Sequence, residues 1–203
     1  MKVKYAVIPC AGKGTRFLPI TKGVAKEMCP IVDRPTLDYI VEECLQSGIT
    51  DIVFIVSEGK EDIKKYYSVD EPFEKDLIEH GKNKYAELIH HIGTKANYHF
   101  VKQEVQLGLG HAVLQAKSVI GDNNFVVCCG DDICTYKDIP PVKQLIDAFE
   151  KVGEKTIVGG QKVPHENINK YGSMKVEEVL NDRLFKLGGV VEKPDIDKAP
   201  SDY

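Results

Sequence analysis

At 203 residues the chain is long enough to bury a sizeable core, as one domain or as one domain with an elaboration. A formal charge of −4, from 27 basic and 31 acidic side chains, excludes a general nucleic-acid binder, which needs a basic face, although local basic clusters can still hold a nucleotide. No apolar run approaches a membrane span, and "MKVKYAVIP" leads straight into a strand without the apolar core of a secretory signal.

In chain order, "KYAVIPC" predicts a first buried strand, ended by a glycine turn. "TLDYIVEECLQSGI" places Leu37, Ile40, Val41, Cys44 and Leu45 at helical spacing, with Gly48 as the stop. "DIVFIVS" predicts a second strand. Between about residues 60 and 95 heavy charge is interleaved with three apolar groups: Ile63, Tyr66 and Tyr67; Leu77 and Ile78; Tyr85, Leu88, Ile89 and Ile92. That pattern predicts two or three inserted helices with a solvated outer side, covering one sheet face; a subunit contact is the alternative. "NYHFVKQ" predicts a third strand, "GHAVLQAKSVI" a helix after a glycine loop, and "NNFVVCCGDD" a fourth strand. "VKQLIDAFEKVG" predicts a helix and "KTIVGGQKV" a fifth strand, while the Pro- and Asp-rich "EKPDIDKAPSDY" predicts a loop. Strands alternating with helices define an α/β fold with a mostly parallel sheet and ligands at the carboxyl ends of its strands.

The six cysteines form no C-x-x-C pair. Cys128 and Cys129 are neighbours on a strand, point to opposite faces and cannot easily clasp one metal. Reduced thiols in a cytoplasmic protein are the expectation.

The chemistry concentrates in a few stretches. In "PCAGKGTRFLP", Gly12 and Gly14 let the backbone turn tightly, so that successive N–H groups can face phosphate oxygens. Phe17 stands where a dinucleotide fingerprint needs its third glycine, and the lysine–hydroxyl pair of a Walker loop is missing. Arg16 and Lys26 follow and can neutralise phosphate charge; ordinary surface charge is the alternative. In "CCGDDI", a buried strand ends in two aspartates, hard oxygen ligands suited to Mg²⁺ shared with a phosphate chain, or else a cap or turn. In "QEVQLGLGHA", Gln103 carries the donor and acceptor needed to read a base edge, and Gly108 and Gly110 allow close approach. His111 is expected to be a satisfied helix-start histidine. In "NKYGSMKV" and "GGVVEKP", Gly172 and Gly189 permit tight packing. Glu192 could accept from sugar hydroxyls and Lys193 could hold a phosphate; an inconsequential exposed ion pair is the alternative.

Together these stretches resemble the bacterial UTP–glucose-1-phosphate uridylyltransferases, within the sugar-nucleotide pyrophosphorylases. The resemblance rests on "PCAGKGTRFLPITK", "KEMCPIVDRPTLDYIVEEC", "GITDIVFIVS", "GLGHAV", "GDDI", "YGSMKV" and "GVVEKP", in that order. It implies a Rossmann-like nucleotidyltransferase domain over residues 1–203 that makes UDP-glucose and pyrophosphate from UTP and glucose 1-phosphate with Mg²⁺. It implies that backbone around Ala11, Gly12 and Gly14, with Gln103 and Gly108, holds the nucleotide. Arg16 and Lys26 would hold its phosphates, and Asp131 the Mg²⁺ with Asp132 beside it. Gly172, Glu192 and Lys193 would face glucose 1-phosphate. No nucleic acid or membrane partner is expected, and the full-length form is expected to be a homo-oligomer, a dimer or tetramer. Members of the family continue several tens of residues past the "EKP" loop, with a further sheet element, terminal helices and a second metal-binding aspartate. The chain is therefore expected to match the first two-thirds of such an enzyme, which leaves its activity alone open. The rivals are a NAD-binding domain and a non-catalytic module that senses nucleotides or sugar phosphates.

Overall fold

The computed structural model describes residues 2–153 and 155–203. They divide into two compact units, Met1–Ile146 and Asp147–Tyr203.

The first unit opens with strand β1 (Tyr5–Pro9), followed by the short antiparallel pair β2 (Pro30–Ile31) and β3 (Arg34–Pro35). Helix α1 (Thr36–Gln46) leads to β4 (Asp51–Val56); helices α2 (Glu61–Tyr66), α3 (Glu71–Glu79) and α4 (Asn83–Thr94) then precede β5 (Asn97–Lys102). Helices α5 (Leu109–Gln115) and α6 (Lys117–Ile120) lead to β6 (Phe125–Val127), and α7 (Pro141–Lys151) follows. The main sheet is four-stranded, in the order β5-β4-β1-β6, and every pairing is parallel. Val7 sits opposite Val53 on one side and Val127 on the other.

Burial explains why these runs become strands. Ala6, Val7 and Ile8 of β1 and Ile52 through Ile55 of β4 are fully buried, as expected for strands covered on both faces. Alternation along β4 then splits the core in two. Val53 and Ile55 pack with Val7 against Ala112, Ala116 and Ile120 of the α5–α6 segment. Phe54 points the other way, into a cluster of Tyr67, Tyr98 and Phe100 with ring centroids 4.9–5.9 Å from its own. The expected helices at 60–95 are thus three, and Tyr67, just beyond α2, anchors them to the sheet. Gly48, at φ +87°, follows the end of α1 as its spacing predicted.

The second unit is built on an antiparallel hairpin, β7 (Gly172–Asn181) and β8 (Leu184–Glu192). The expected fifth strand, "KTIVGGQKV", is not one. Residues 155–163 have no regular structure and are mostly exposed. Val163 N–H donates to the Asp202 carbonyl at 2.9 Å, and one such bond is no ladder. The C-terminal segment is a loop, as expected, yet it is tied to the hairpin. Met174 N–H donates to the Tyr203 carbonyl at 2.7 Å, Ser173 Oγ donates to the Ser201 carbonyl at 2.7 Å, and the Tyr203 ring lies 5.2 Å from that of Phe185.

Candidate active site

The strand order determines where a ligand can reach the first unit. The chain moves from β1 outward through β4 and β5, then returns to the opposite side of β1 as β6. The connections therefore diverge at the carboxyl ends of β1 and β6 and leave a crevice there. The Gly12–Gly14 loop follows β1 and the Asp131 turn follows β6.

The loop is shaped around one lysine. Gly14 has φ +64°, and a Cβ there would lie 3.1 Å from both Lys26 Cβ and Thr21 Cγ2. Thr21 Oγ1 donates to the Gly14 carbonyl at 2.8 Å, and a Cβ on Gly12 would lie 3.8 Å from Lys26 Cε. Lys26 Nζ donates to Asp131 Oδ2 at 2.5 Å, across 105 residues of sequence. Gly130 permits this approach: a Cβ there would sit 3.2 Å from Cys10 Sγ, Glu27 Cγ and the Pro9 carbonyl. Cys10 is fully buried, and burial pushes its thiol well above the ordinary value, so it is no nucleophile.

Beneath Lys26 lies a feature the sequence reading missed. Glu27 is 0% exposed and accepts from Lys60 Nζ at 2.7 Å; Lys60 itself is 8% exposed. Burial raises the Glu27 carboxyl, and the Lys60 hydrogen bond opposes it without cancelling the rise. Glu27 Oε1 has no hydrogen-bond partner among the described residues and lies 3.9 Å from Lys26 Nζ. Asp131, Lys26, Glu27 and Lys60 thus alternate in charge from the exposed loop to the buried floor. The adjacent "KE" of the sequence was the available signal, but nothing in it pointed to Lys60.

On the β5 side, Gln103 is 4% exposed and its N–H donates to the Val56 carbonyl at 2.7 Å. Its side-chain Nε2 lies 2.9 Å from His111 Nδ1, so His111 is satisfied, as expected of a helix-start histidine. Gly108, at φ +98°, turns the chain into α5. The Ala11 carbonyl accepts from Gln106 Nε2 at 2.6 Å and from Ser57 Oγ at 3.1 Å. These bonds hold the start of the glycine loop and occupy that carbonyl. Arg16 lies exposed on a short 3-10 turn, Thr15–Phe17.

The second unit gathers its own three candidates. Gly172 is paired with Glu192 in the hairpin, and a Cβ on Gly172 would lie 3.3 Å from Glu192 Oε2 and 3.0 Å from Val190 Cγ1. Lys193 has φ +45°, its N–H donates to the Tyr171 carbonyl at 3.0 Å, and its Nζ lies 3.6 Å from Glu192 Oε1.

A parallel sheet with a glycine loop, a lysine and a carboxylate at its carboxyl edge defines a nucleotide-handling α/β protein. The sequence profile of the nucleotidyl transferase family matches residues 5–203, and the chain belongs to that family. It is 43% identical over 201 residues to UTP–glucose-1-phosphate uridylyltransferase 1 of Staphylococcus saprophyticus, covering 99% of this chain and 69% of that protein. It is 43% identical over 204 residues to UTP–glucose-1-phosphate uridylyltransferase of Streptococcus pneumoniae, covering 99% of this chain and 68% of that protein. Among solved structures, a UTP-bound UGPase from Acinetobacter baumannii superposes with a TM-score of 0.92 at 33% identity, over 98% of this chain and 71% of that one. A UDP-glucose pyrophosphorylase complexed with UDP-glucose gives 0.85 at 34% identity, over 98% and 72%. The chain thus spans about two-thirds of the length of these curated relatives.

Proposed function

We propose that this protein transfers the uridylyl group of UTP to glucose 1-phosphate, forming UDP-glucose and pyrophosphate. The observation that carries the proposal is the meeting of Lys26 Nζ with Asp131, at 2.5 Å, against the glycine loop of a family nucleotidyltransferase fold. The names of its relatives support the choice of UTP and glucose 1-phosphate.

In this reaction a phosphate oxygen of glucose 1-phosphate attacks the α-phosphorus of UTP. The bond from that phosphorus to the α–β bridging oxygen breaks, and pyrophosphate leaves with the electron pair. The attacking oxygen is already anionic, so no protein base or nucleophile is needed, consistent with the inert Cys10. What the site must supply is relief of repulsion between two anions, and alignment of them. Lys26 and Arg16 would take the triphosphate, and Lys193 the sugar phosphate. Gln103 would read the base, with Gly12, Gly14 and Gly108 admitting backbone close to the nucleotide. Glu192 would accept from sugar hydroxyls, with room kept open by Gly172.

Asp131 fits Mg²⁺. Its carboxylate is a hard donor with 55% of the side chain exposed, and no group of three metal-binding side chains forms among the described residues. That suits an ion which takes most of its ligands from phosphates and water. When bound, Mg²⁺ held by Asp131 would neutralise charge on the phosphates, and Lys26 would add its own positive charge beside them. We infer a single nucleotidyltransferase domain that assembles as a homo-oligomer. A cytoplasmic setting is supported by the free cysteines at all six positions.

The test is pyrophosphate release with each of the four nucleoside triphosphates and a panel of sugar phosphates, in the presence of Mg²⁺. Preferential turnover of UTP with glucose 1-phosphate is expected. Binding of UTP with no turnover of any pair, in this chain and in a C-terminally extended form alike, would overturn transfer in favour of sensing.

A further inference from the structure

We propose that His111 and Gln115 fix the orientation of the Gln103 amide and thereby make the base site prefer uracil over cytosine; this rests on the nucleotide-binding reading above. The imidazole of His111 lies between two glutamine amides. The Gln103 amide atom 2.9 Å from Nδ1 is placed as Nε2, the two ends of the amide being alike in shape. The Gln115 amide nitrogen is 3.2 Å from Nε2 and also donates to the His111 main-chain carbonyl at 3.2 Å.

Hydrogen counting decides among the possible arrangements. A neutral imidazole carries one N–H and one lone pair, so it cannot accept from both amides. If Nδ1 accepted from Gln103, Nε2–H would need an acceptor. Gln115 would then have to turn over and lose its bond to the main-chain carbonyl. A doubly protonated ring would force the same turn. Only one arrangement keeps all three contacts. Gln115 donates to the carbonyl and to Nε2, Nδ1 carries the proton, and the Gln103 amide turns over from its placed orientation so that Nδ1–H donates to Oε1. Gln103 is 4% exposed as a residue, so besides His111 its amide meets only what enters the site.

The consequence falls on the base. With Oε1 held toward His111, the amide presents Nε2–H as a donor, and Oε1 keeps a second lone pair. That donor–acceptor order complements the O4 acceptor and N3–H donor of uracil. Turned over, the amide would offer the reverse order, which complements the N4 donor and N3 acceptor of cytosine. His111 and Gln115 are therefore positioning residues, acting through Gln103.

Two measurements test this on the 203-residue chain. The first is calorimetric binding of UTP, CTP and inorganic pyrophosphate to the native chain and to His111→Leu and Gln115→Leu. The UTP-over-CTP preference should fall about tenfold in each variant, the scale of one hydrogen bond to a buried polar partner, with pyrophosphate affinity unchanged. A preference that survives both substitutions overturns the relay and leaves the nucleotide reading standing. Failure of the native chain to bind UTP at all overturns the nucleotide reading and the selectivity with it. The second measurement needs no variant: nitrogen-15 NMR of the native histidine should show the Nδ1–H tautomer for His111. The Nε2–H tautomer, or a ring protonated on both nitrogens at neutral pH, would overturn the relay whatever the binding shows.

Discussion

Two ion pairs, one in each unit, are held in opposite ways. In the first, Glu27 and Lys60 are 0% and 8% exposed and bonded to each other, and Lys26 rests on that pair. In the second, the side chains of Glu192 and Lys193 are 74% and 60% exposed and only 3.6 Å apart. A buried pair cannot lose one member without stranding the other, whereas an exposed pair is worth little until something binds. The floor of the first unit is therefore preorganised, and the second unit's pair is free to be recruited by ligand. The contrast predicts damage to folding in one unit and damage to substrate affinity alone in the other.

The largest effect should come from Lys60→Ala, which leaves Glu27 buried and unpaired. A loss of about 3–5 kcal/mol of stability is expected, measured by urea unfolding at neutral pH. Lys60→Ala and Lys193→Ala costing the same would erase the contrast between the units. Next is Lys26→Ala, which keeps the floor but removes the charge proposed to take the triphosphate. Turnover in a form competent for transfer should fall by about 10²–10³, the scale of losing one preorganised charge-stabilising donor. Lys22→Ala, on an exposed turn, should change it little. Equal small effects from the two would make Lys26 an ordinary solvated charge.

This contrast also marks what the sequence made legible. β1 and β4 stood out because inner strands of a parallel sheet are continuous apolar runs, β5 from the short apolar and aromatic stretch of "NYHFVK", and the helices between β4 and β5 because their apolar residues recur at helical intervals. The hairpin did not stand out. β7 carries Lys175, Glu177 and Glu178, and β8 carries Gly188 and Gly189, so neither reads as an apolar run. "KTIVGGQKV" misled in the opposite sense, being apolar enough for a strand yet irregular and mostly exposed. Among site residues, Lys26 was legible from its place after the glycine loop. Its partner Asp131 was legible only as a strand-end carboxylate, since spacing along the chain does not encode a contact across 105 residues. His111 is satisfied as expected, but that Gln103 and Gln115 are the residues that reach its ring was not legible from spacing.

A smaller effect is expected in the second unit. Glu192→Gln keeps an acceptor but drops the charge, and the exposed position offers no folding role to lose. The Michaelis constant for glucose 1-phosphate should rise by up to about tenfold, the scale of one weakened hydrogen bond to a charged group, with that for UTP unchanged. A defect confined to UTP would move Glu192 to the nucleotide side.

The smallest effect tests whether burial with no ionic partner among the described residues behaves as the contrast requires. Glu43 on α1 is 9% exposed and accepts from Val142 N–H at 2.9 Å. Burial raises its carboxyl, the Val142 bond opposes this, and the charge of Asp132 adds to the rise. The folded chain thus binds this proton more tightly than the unfolded chain does. The stability this contributes is fully present below the unfolded value of about 4.3 and is lost as pH climbs through the raised folded value. Glu43→Gln keeps an oxygen for Val142 and has no charge to desolvate. Its stability should therefore decline less than that of the native chain between about pH 4 and 7, with its relative gain greatest at neutral pH. Urea unfolding across that range measures the difference. Parallel curves would mean that the Glu43 carboxylate is as well solvated as an exposed one. Burial alone would then not separate the two units, and the Glu27–Lys60 ion pair would carry the whole distinction.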